Sequence, residues 1–133
     1  MATKTSTQKG LTMKRLIVAA CCLMLSLDDT KDAVFYFNRG IEWDDKGELD
    51  KAIADFNEVI RLDPKFALAY NYRGEARSRK GEIDKAIADF NKAIRLDPEN
   101  AGAYYNRASA YREIGNSTKA ALDEQKAKEL MKQ

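Results

Sequence analysis

DKAIADFN, residues 50–57, returns letter for letter as DKAIADFN at residues 84–91, and IRLDP at residues 60–64 returns at 94–98. Both pairs are offset by 34 residues, as the two Pro positions show (Pro64 and Pro98). A second step of the same size finds a third, weaker copy. Tyr36, Tyr70 and Tyr104 fall into register, as do Arg39, Arg73 and Arg107, then Gly47, Gly81 and Gly115, then Ala52, Ala86 and Ala120. Gly40 and Gly74 align with Ala108. A fixed period of this length is the mark of a stacked repeat array, in which each unit buries its apolar face on its neighbours.

Within a unit the grammar is that of two helices. Apolar residues recur at three- and four-residue steps, and no alternating strand pattern competes. The first helix of the first unit is expected from Ala33 to Lys46, with Gly47 as a left-handed stop. The second is expected to begin near Glu48–Asp50, where acidic groups suit a helix N-terminus, and to end near Leu62. Asp63-Pro64 then breaks the chain, because proline disfavours helix in the residue before it. Gly81, Glu82–Asp84 and Asp97-Pro98 repeat the sequence of signals. The last helix is expected over 117–133.

These residues resemble the tetratricopeptide repeat family. The positions that the family marks fall on Tyr36, Gly40, Trp43, Ala52, Phe56 and Pro64 in the first unit. They fall on Tyr70, Gly74, Ala86, Phe90, Ala93 and Pro98 in the second, and on Tyr104, Ala108 and Ala120 in the third. The resemblance implies an all-α, right-handed α-solenoid of three stacked helix-turn-helix repeats over 33–133, divided 33–66, 67–100 and 101–133. Small residues at Gly40, Gly74 and Ala108 let the paired helices approach, and the matching alanines do so from the other side. Tyr36, Trp43, Phe56, Tyr70, Phe90, Tyr104 and Tyr111 are expected to fill the space between hairpins.

The departures from the family pattern are informative. Arg39, Arg73 and Arg107 stand where the family has leucine, and three arginines at one repeat position point to bridges with acids on a neighbouring helix. Arg77 replaces a common aromatic, which implies looser packing or a buried ion pair. Glu124 replaces the phenylalanine of the other units, as expected of a terminal repeat with a polar outer face.

The resemblance also implies a function. First helices of such units line a concave face that takes peptides or helices. The groove positions are Val34, Phe37, Asn38, Ile41 and Asp45, then Leu68, Asn71, Glu75 and Arg79, then Tyr105, Asn106, Ser109 and Arg112. The three asparagine amides both donate and accept, which suits a peptide backbone; Phe37, Ile41 and Tyr105 suit apolar side chains. One family subtype grips the carboxylate tail of chaperones with lysine and arginine. Those positions here are Phe37, Ile41, Gly102 and Asn106, so that clamp is not expected.

Composition narrows the alternatives. The chain has 133 residues, a formal net charge of +2 and no histidine. Histidine-dependent nucleophilic triads and imidazole zinc sites are thereby excluded. The small charge does not fit a nucleic-acid binder. Asp50/Asp55 and Asp84/Asp89 repeat in register, which marks them as structural rather than as a catalytic acid and base. No phosphate loop or metal cluster accompanies them, so neither an enzyme nor a cofactor is expected. Residues 33–66 carry five basic and eight acidic side chains, and 101–133 carry six and four. This asymmetry permits a second reading, head-to-tail self-association into a homo-oligomer.

Residues 1–32 are a different kind of sequence. Lys4, Lys9, Lys14 and Arg15 precede an apolar run from Leu16 to Leu27, and Asp28, Asp29 and Asp32 follow. A basic start with a short apolar core reads as an export signal over 1–27, and the run is too short for a membrane span of roughly 20 residues. Met13 is an alternative start. Val18-Ala19-Ala20-Cys21 is similar to the lipid-attachment box of bacterial lipoproteins, which would bring the chain to a membrane in a bacterial envelope. Cys21 and Cys22 are adjacent and cannot staple distant segments. The competing reading is a retained apolar helix over the first hairpin in a cytoplasmic protein.

Overall fold

A computed structural model describes residues 29–133. Among the described residues helix α1 covers 29–45 and is already helical at Asp29, four residues before the expected Ala33. The expected signal segment 1–27, with Cys21 and Cys22, lies outside the described residues. Five more helices follow: α2 at Leu49–Leu62, α3 at Ala67–Arg79, α4 at Ile83–Leu96, α5 at Ala101–Glu113 and α6 at Ser117–Met131. Consecutive helices pack as antiparallel neighbours, and α3 also touches α5. The architecture is all-α, three hairpins stacked as tetratricopeptide-type repeats.

The turns inside the hairpins are one device used three times. Gly47, Gly81 and Gly115 have φ of 76°, 84° and 78°, a region that costs a residue with a Cβ roughly 1–2 kcal/mol. Each glycine N–H bonds back to the carbonyl three residues earlier, and the next N–H reaches five back, as Glu48 N to Trp43 O at 2.9 Å and Glu82 N to Arg77 O at 2.9 Å. That paired closure is how a helix ends on glycine. Between hairpins, Asp63 and Asp97 turn the chain by accepting from Lys65 N and Glu99 N. From α2 onward, side-chain N-caps are found on α5 and α6: Asn100 and Asn116 accept from Ala103 N and Lys119 N, both at 3.2 Å.

Close approach explains the small residues. A Cβ added to Gly40 would stand 2.7 Å from the Phe56 ring, and one added to Gly74 would stand 2.7 Å from the Phe90 ring. Both rings are fully buried. In the third unit alanine replaces the glycine, and Glu124 replaces the phenylalanine at the matching distance along the chain. Backbone approach and ring are therefore exchanged together. Ala33, Val59 and Ala69 form one core cluster across α1, α2 and α3, flanked by Tyr36, Phe37, Ile60, Leu62 and Phe66. Tyr70, Ala93 and Ala103 repeat it one unit on, and the Tyr70 hydroxyl donates to Pro64 O at 3.0 Å.

Not every aromatic fills that space. Trp43, Tyr104 and Tyr111 stay half-buried, which corrects their expected place between hairpins. Lys51 and Lys46 lie 4.6 and 5.1 Å from the Trp43 ring centre, and Arg107 sits against both Tyr104 and Tyr111. These rings keep one face on the protein and use the other to hold a cation, an attraction of about 0.5–1 kcal/mol at exposed sites.

The arginines do bridge to acids. Arg39, Arg73 and Arg107 each bind both oxygens of Asp55, Asp89 and Asp123 in the paired helix, at 2.6–3.0 Å. Arg73 also donates to Asn57 Oδ1 at 2.8 Å and Arg107 to Asn91 Oδ1 at 2.9 Å, each in the preceding unit. One planar fork thus ties three successive helices, which a lysine cannot do. Asp123 holds the Arg107 guanidinium above its ordinary pKa through the hydrogen bonds, against an opposing effect of burial. Arg77 forms the ion pair foreseen as one of its two options, donating to Asp89 at 2.8 Å.

Candidate interaction groove

The first helices α1, α3 and α5 run parallel to one another, so equivalent residues form rows across the stack. Near their C-terminal halves a depression of about 170 Å³ opens between α3 and α5. Glu75, Ser78 and Arg79 form one wall, Asn106, Ser109 and Glu113 the other, and Phe90 of α4 the floor. Four predicted groove residues meet here: Glu75, Arg79, Asn106 and Ser109. Ser78, Glu113 and Phe90 were not anticipated. The repeat register contained the signal for two of them, since Glu113 aligns with Asp45 and Arg79, and Ser78 with Asp44 and Arg112.

Around this depression the other candidates differ in character. Leu68 and Tyr105 are large apolar side chains left 44% and 47% exposed, and Val34 is similarly open. Asn38 and Asp45 are exposed, and Ile41 is half-buried. Phe37 is half-buried, with its ring 5.0 Å from Phe66, 5.3 Å from Tyr72 and 6.0 Å from Phe56. It joins α1 to α2 and α3, which differs from its reading as an anchor for a partner's side chain. Asn71 is buried and accepts from Asn106 Nδ2 at 3.2 Å, so these two amides act as a pair that ties α3 to α5.

The charges of the groove are mostly committed. Arg79 reaches Asp44 of α1 at 2.8 Å, Arg77 is held by Asp89, and Arg112 pairs with Glu124. Glu75 is different. Burial pushes its carboxyl pKa above the usual value, Asp44 pushes the same way, and Arg79 pulls it back in part. A second, wider depression lies on α6 among Glu124, Gln125, Lys128 and Glu129; one helix lines it and no opposite wall faces it. Among the described residues there is no cluster of metal-ligating side chains, and no helix is long and apolar enough to cross a membrane.

Comparison with known proteins agrees with this geometry. The TPR repeat profile matches residues 45–81 and 77–115, and a tetratricopeptide repeat profile matches 101–130. No curated protein matches in sequence. Among solved structures, the first TPR of Spaghetti (RPAP3), bound to the HSP90 peptide SRMEEVD, superposes with a TM-score of 0.74 at 24% identity, covering 75% of this chain and 79% of that one. The TPR2B domain of yeast Sti1, in complex with pHsp70, gives 0.74 at 28% identity and covers 75% and 80%. MamA gives 0.72 at 30% identity over 75% of this chain, which spans 58% of MamA's length. The matched stretches cover α2–α3, α4–α5 and α5–α6, more than half of the chain, and the chain belongs to the tetratricopeptide repeat family.

Proposed function

We propose that the chain is a protein-interaction scaffold that receives an extended segment of a partner in the groove walled by α1, α3 and α5. The observation that carries this reading is the depression between α3 and α5, with amide, hydroxyl and carboxylate groups on facing walls, and exposed Leu68 and Tyr105 in the N-terminal halves of the same two helices. Polar groups on two walls fix a backbone, and neighbouring apolar side chains supply the buried contact that dominates affinity. The Sti1 domain, of the same fold and solved with pHsp70, supports it.

The test is capture of a partner from the native host by the full chain and by a Leu68→Ala/Tyr105→Ala variant of unchanged helicity. Loss of the partner in the variant is expected; equal capture by both rejects the groove. Phe37 is left intact, because its ring belongs to the core.

The second reading, head-to-tail self-association, draws on the acidic first and basic last units. It has a steric cost. Phe35 is 57% exposed and stands in register with Ala69 and Ala103, which are fully buried against the preceding unit. A copy stacked in the same register meets a ring where the array has a methyl group. Light scattering at low and high salt tests this reading, and a salt-independent monomer excludes it. Delivery to a bacterial envelope by residues 1–27 is also part of the proposal and rests on their basic start and apolar run. A full-length, unlipidated mass from the host rejects it.

A further inference from the structure

We propose that the groove selects a cationic segment, one that sets lysine or arginine side chains against the edge formed by the C-terminal ends of α1, α3 and α5 and apolar side chains against Leu68 and Tyr105. The inference rests on the groove reading above and adds the chemistry of its occupant.

Carboxylates without a partner gather at that edge, while the Lys46 ammonium at the end of α1 is turned onto the Trp43 ring, 5.1 Å from its centre. Asp44 and Asp45 occupy the last turn of α1, Glu75 lies one turn before the end of α3, and Glu113 is the last residue of α5. The guanidinium groups nearby are already spent. Arg77 is bound to Asp89, Arg79 to Asp44 and Arg112 to Glu124. Among the described residues, Asp45, Glu75 and Glu113 have no ion-pair partner. Glu75 and Glu113 face each other across the depression, from α3 and α5.

The helices add to this field. The C-terminal end of a helix carries the negative end of its dipole and favours cations. Here three such ends point the same way; those of α1 and α5 end on carboxylates, and that of α3 has Glu75 one turn behind the paired Arg77 and Arg79. Glu75 registers the result, since its ionised form is disfavoured by burial and by Asp44 together. A cation entering the depression offsets the repulsion from Asp44 with its own charge, so a close cation favours the ionised carboxylate and its binding releases protons as pH falls into the carboxylate range. The opposite edge, at the N-terminal halves of α3 and α5, presents Leu68 and Tyr105, and residues 67–72 and 101–106 include no Asp, Glu, Lys or Arg. A segment with basic residues on one side and apolar residues on the other matches both edges.

The experiment uses the full chain and two fluorescein-labelled peptides with blocked ends. The first is Ala-Leu-Arg-Val-Lys-Leu-Ala, and the second carries Glu in place of its Arg and Lys. Titration is followed by fluorescence anisotropy at about 0.15 M salt, where exposed charges are screened beyond roughly 8 Å. The basic peptide is expected to saturate and the acidic one not to. The Glu75→Gln/Glu113→Gln variant is expected to bind the basic peptide about fivefold more weakly, as one half-buried and one exposed charge contact imply. A Glu99→Gln/Glu129→Gln variant has the same net charge but is changed outside the groove, and is expected to bind as the parent does. Equal binding of the two peptides, equal weakening by both variants, or no binding of either peptide overturns the charge selectivity. Binding of the acidic peptide that is lost in Leu68→Ala/Tyr105→Ala also overturns it while leaving the groove itself standing.

Discussion

Gly74→Ala sets two well-measured effects against each other. In a helix interior alanine is more favourable than glycine by about 1 kcal/mol, so propensity alone makes the substitution stabilising. The structure reverses the sign. The new Cβ stands 2.7 Å from Phe90 Cε1, 2.9 Å from Cδ1 and 3.1 Å from Cζ, against an optimum of about 3.5–4.0 Å between carbons. The ring cannot swing away, because it is 1% exposed and packed in a cluster with Ala86 and Ala110. Overpacking of a tight core costs about 1–3 kcal/mol. Subtracting the propensity gain leaves a loss of about 1 kcal/mol, near the middle of the range, and a fall in Tm of about 4–8 °C for a domain of this size. The assay is thermal unfolding followed by circular dichroism, with two controls. Gly102→Ala, whose Cβ would meet only Asn100 Oδ1 at 3.2 Å, is expected to hold or raise Tm. Phe90→Leu is expected to cost less in the Gly74→Ala background than in the parent. If Gly74→Ala melts as high as Gly102→Ala, the close approach of α3 to α4 does not constrain the ring, and the account of the small residues fails.

Three more outcomes follow from the same contacts. Asp89→Ala strands both Arg73 and Arg77 and is expected to cost about 3 kcal/mol in urea unfolding, in the range for breaking a buried pair; Asp55→Ala, facing an Arg39 that is 42% exposed, is expected to cost about 1 kcal/mol or less, and equal losses would refute the ranking. Gly81→Ala, at φ of 84°, is expected to cost roughly 1–2 kcal/mol despite open space around it, as read by Tm. Glu75 has a folded-state pKa above its unfolded value, so stability is expected to fall as pH rises from the ordinary carboxylate range through the raised pKa; Asp44 and Glu113 face it from α1 and α5 and Arg79 from its own helix. The difference in unfolding free energy between parent and Glu75→Gln isolates this slope, and a difference that is flat with pH would contradict it.

The fold was legible because its determinants are local and recur. Gly81 predicts its turn by the same rule as Gly47, and three arginines in register point to bridges with acids of a neighbouring helix, which the structure identifies for Arg73 as Asp89. The groove was legible as a face but not in its depth. Register places Phe37 and Asn71 on the concave side; it does not say that Phe66 and Tyr72 close over one, or that Asn106 caps the other. The charge of the groove was hidden for a related reason. Arg79 and Arg112 look available in the sequence, and only the distances to Asp44 and Glu124 show that they are not. Periodicity reports which residues share a side, whereas ionic pairing across elements depends on the angle between hairpins, which no single unit encodes.

That angle is fixed by the guanidinium forks. Because Arg73 spans α2, α3 and α4, and Arg107 spans α4, α5 and α6, no hairpin can swing against the next without tearing a hydrogen bond in each fork. The width of the proposed groove is thus set by contacts within the chain. On the proposed function a partner pays for its own ordering but not for that of its host, so variants that loosen a fork are expected to weaken capture although Arg73 and Arg107 lie outside the lining of the depression.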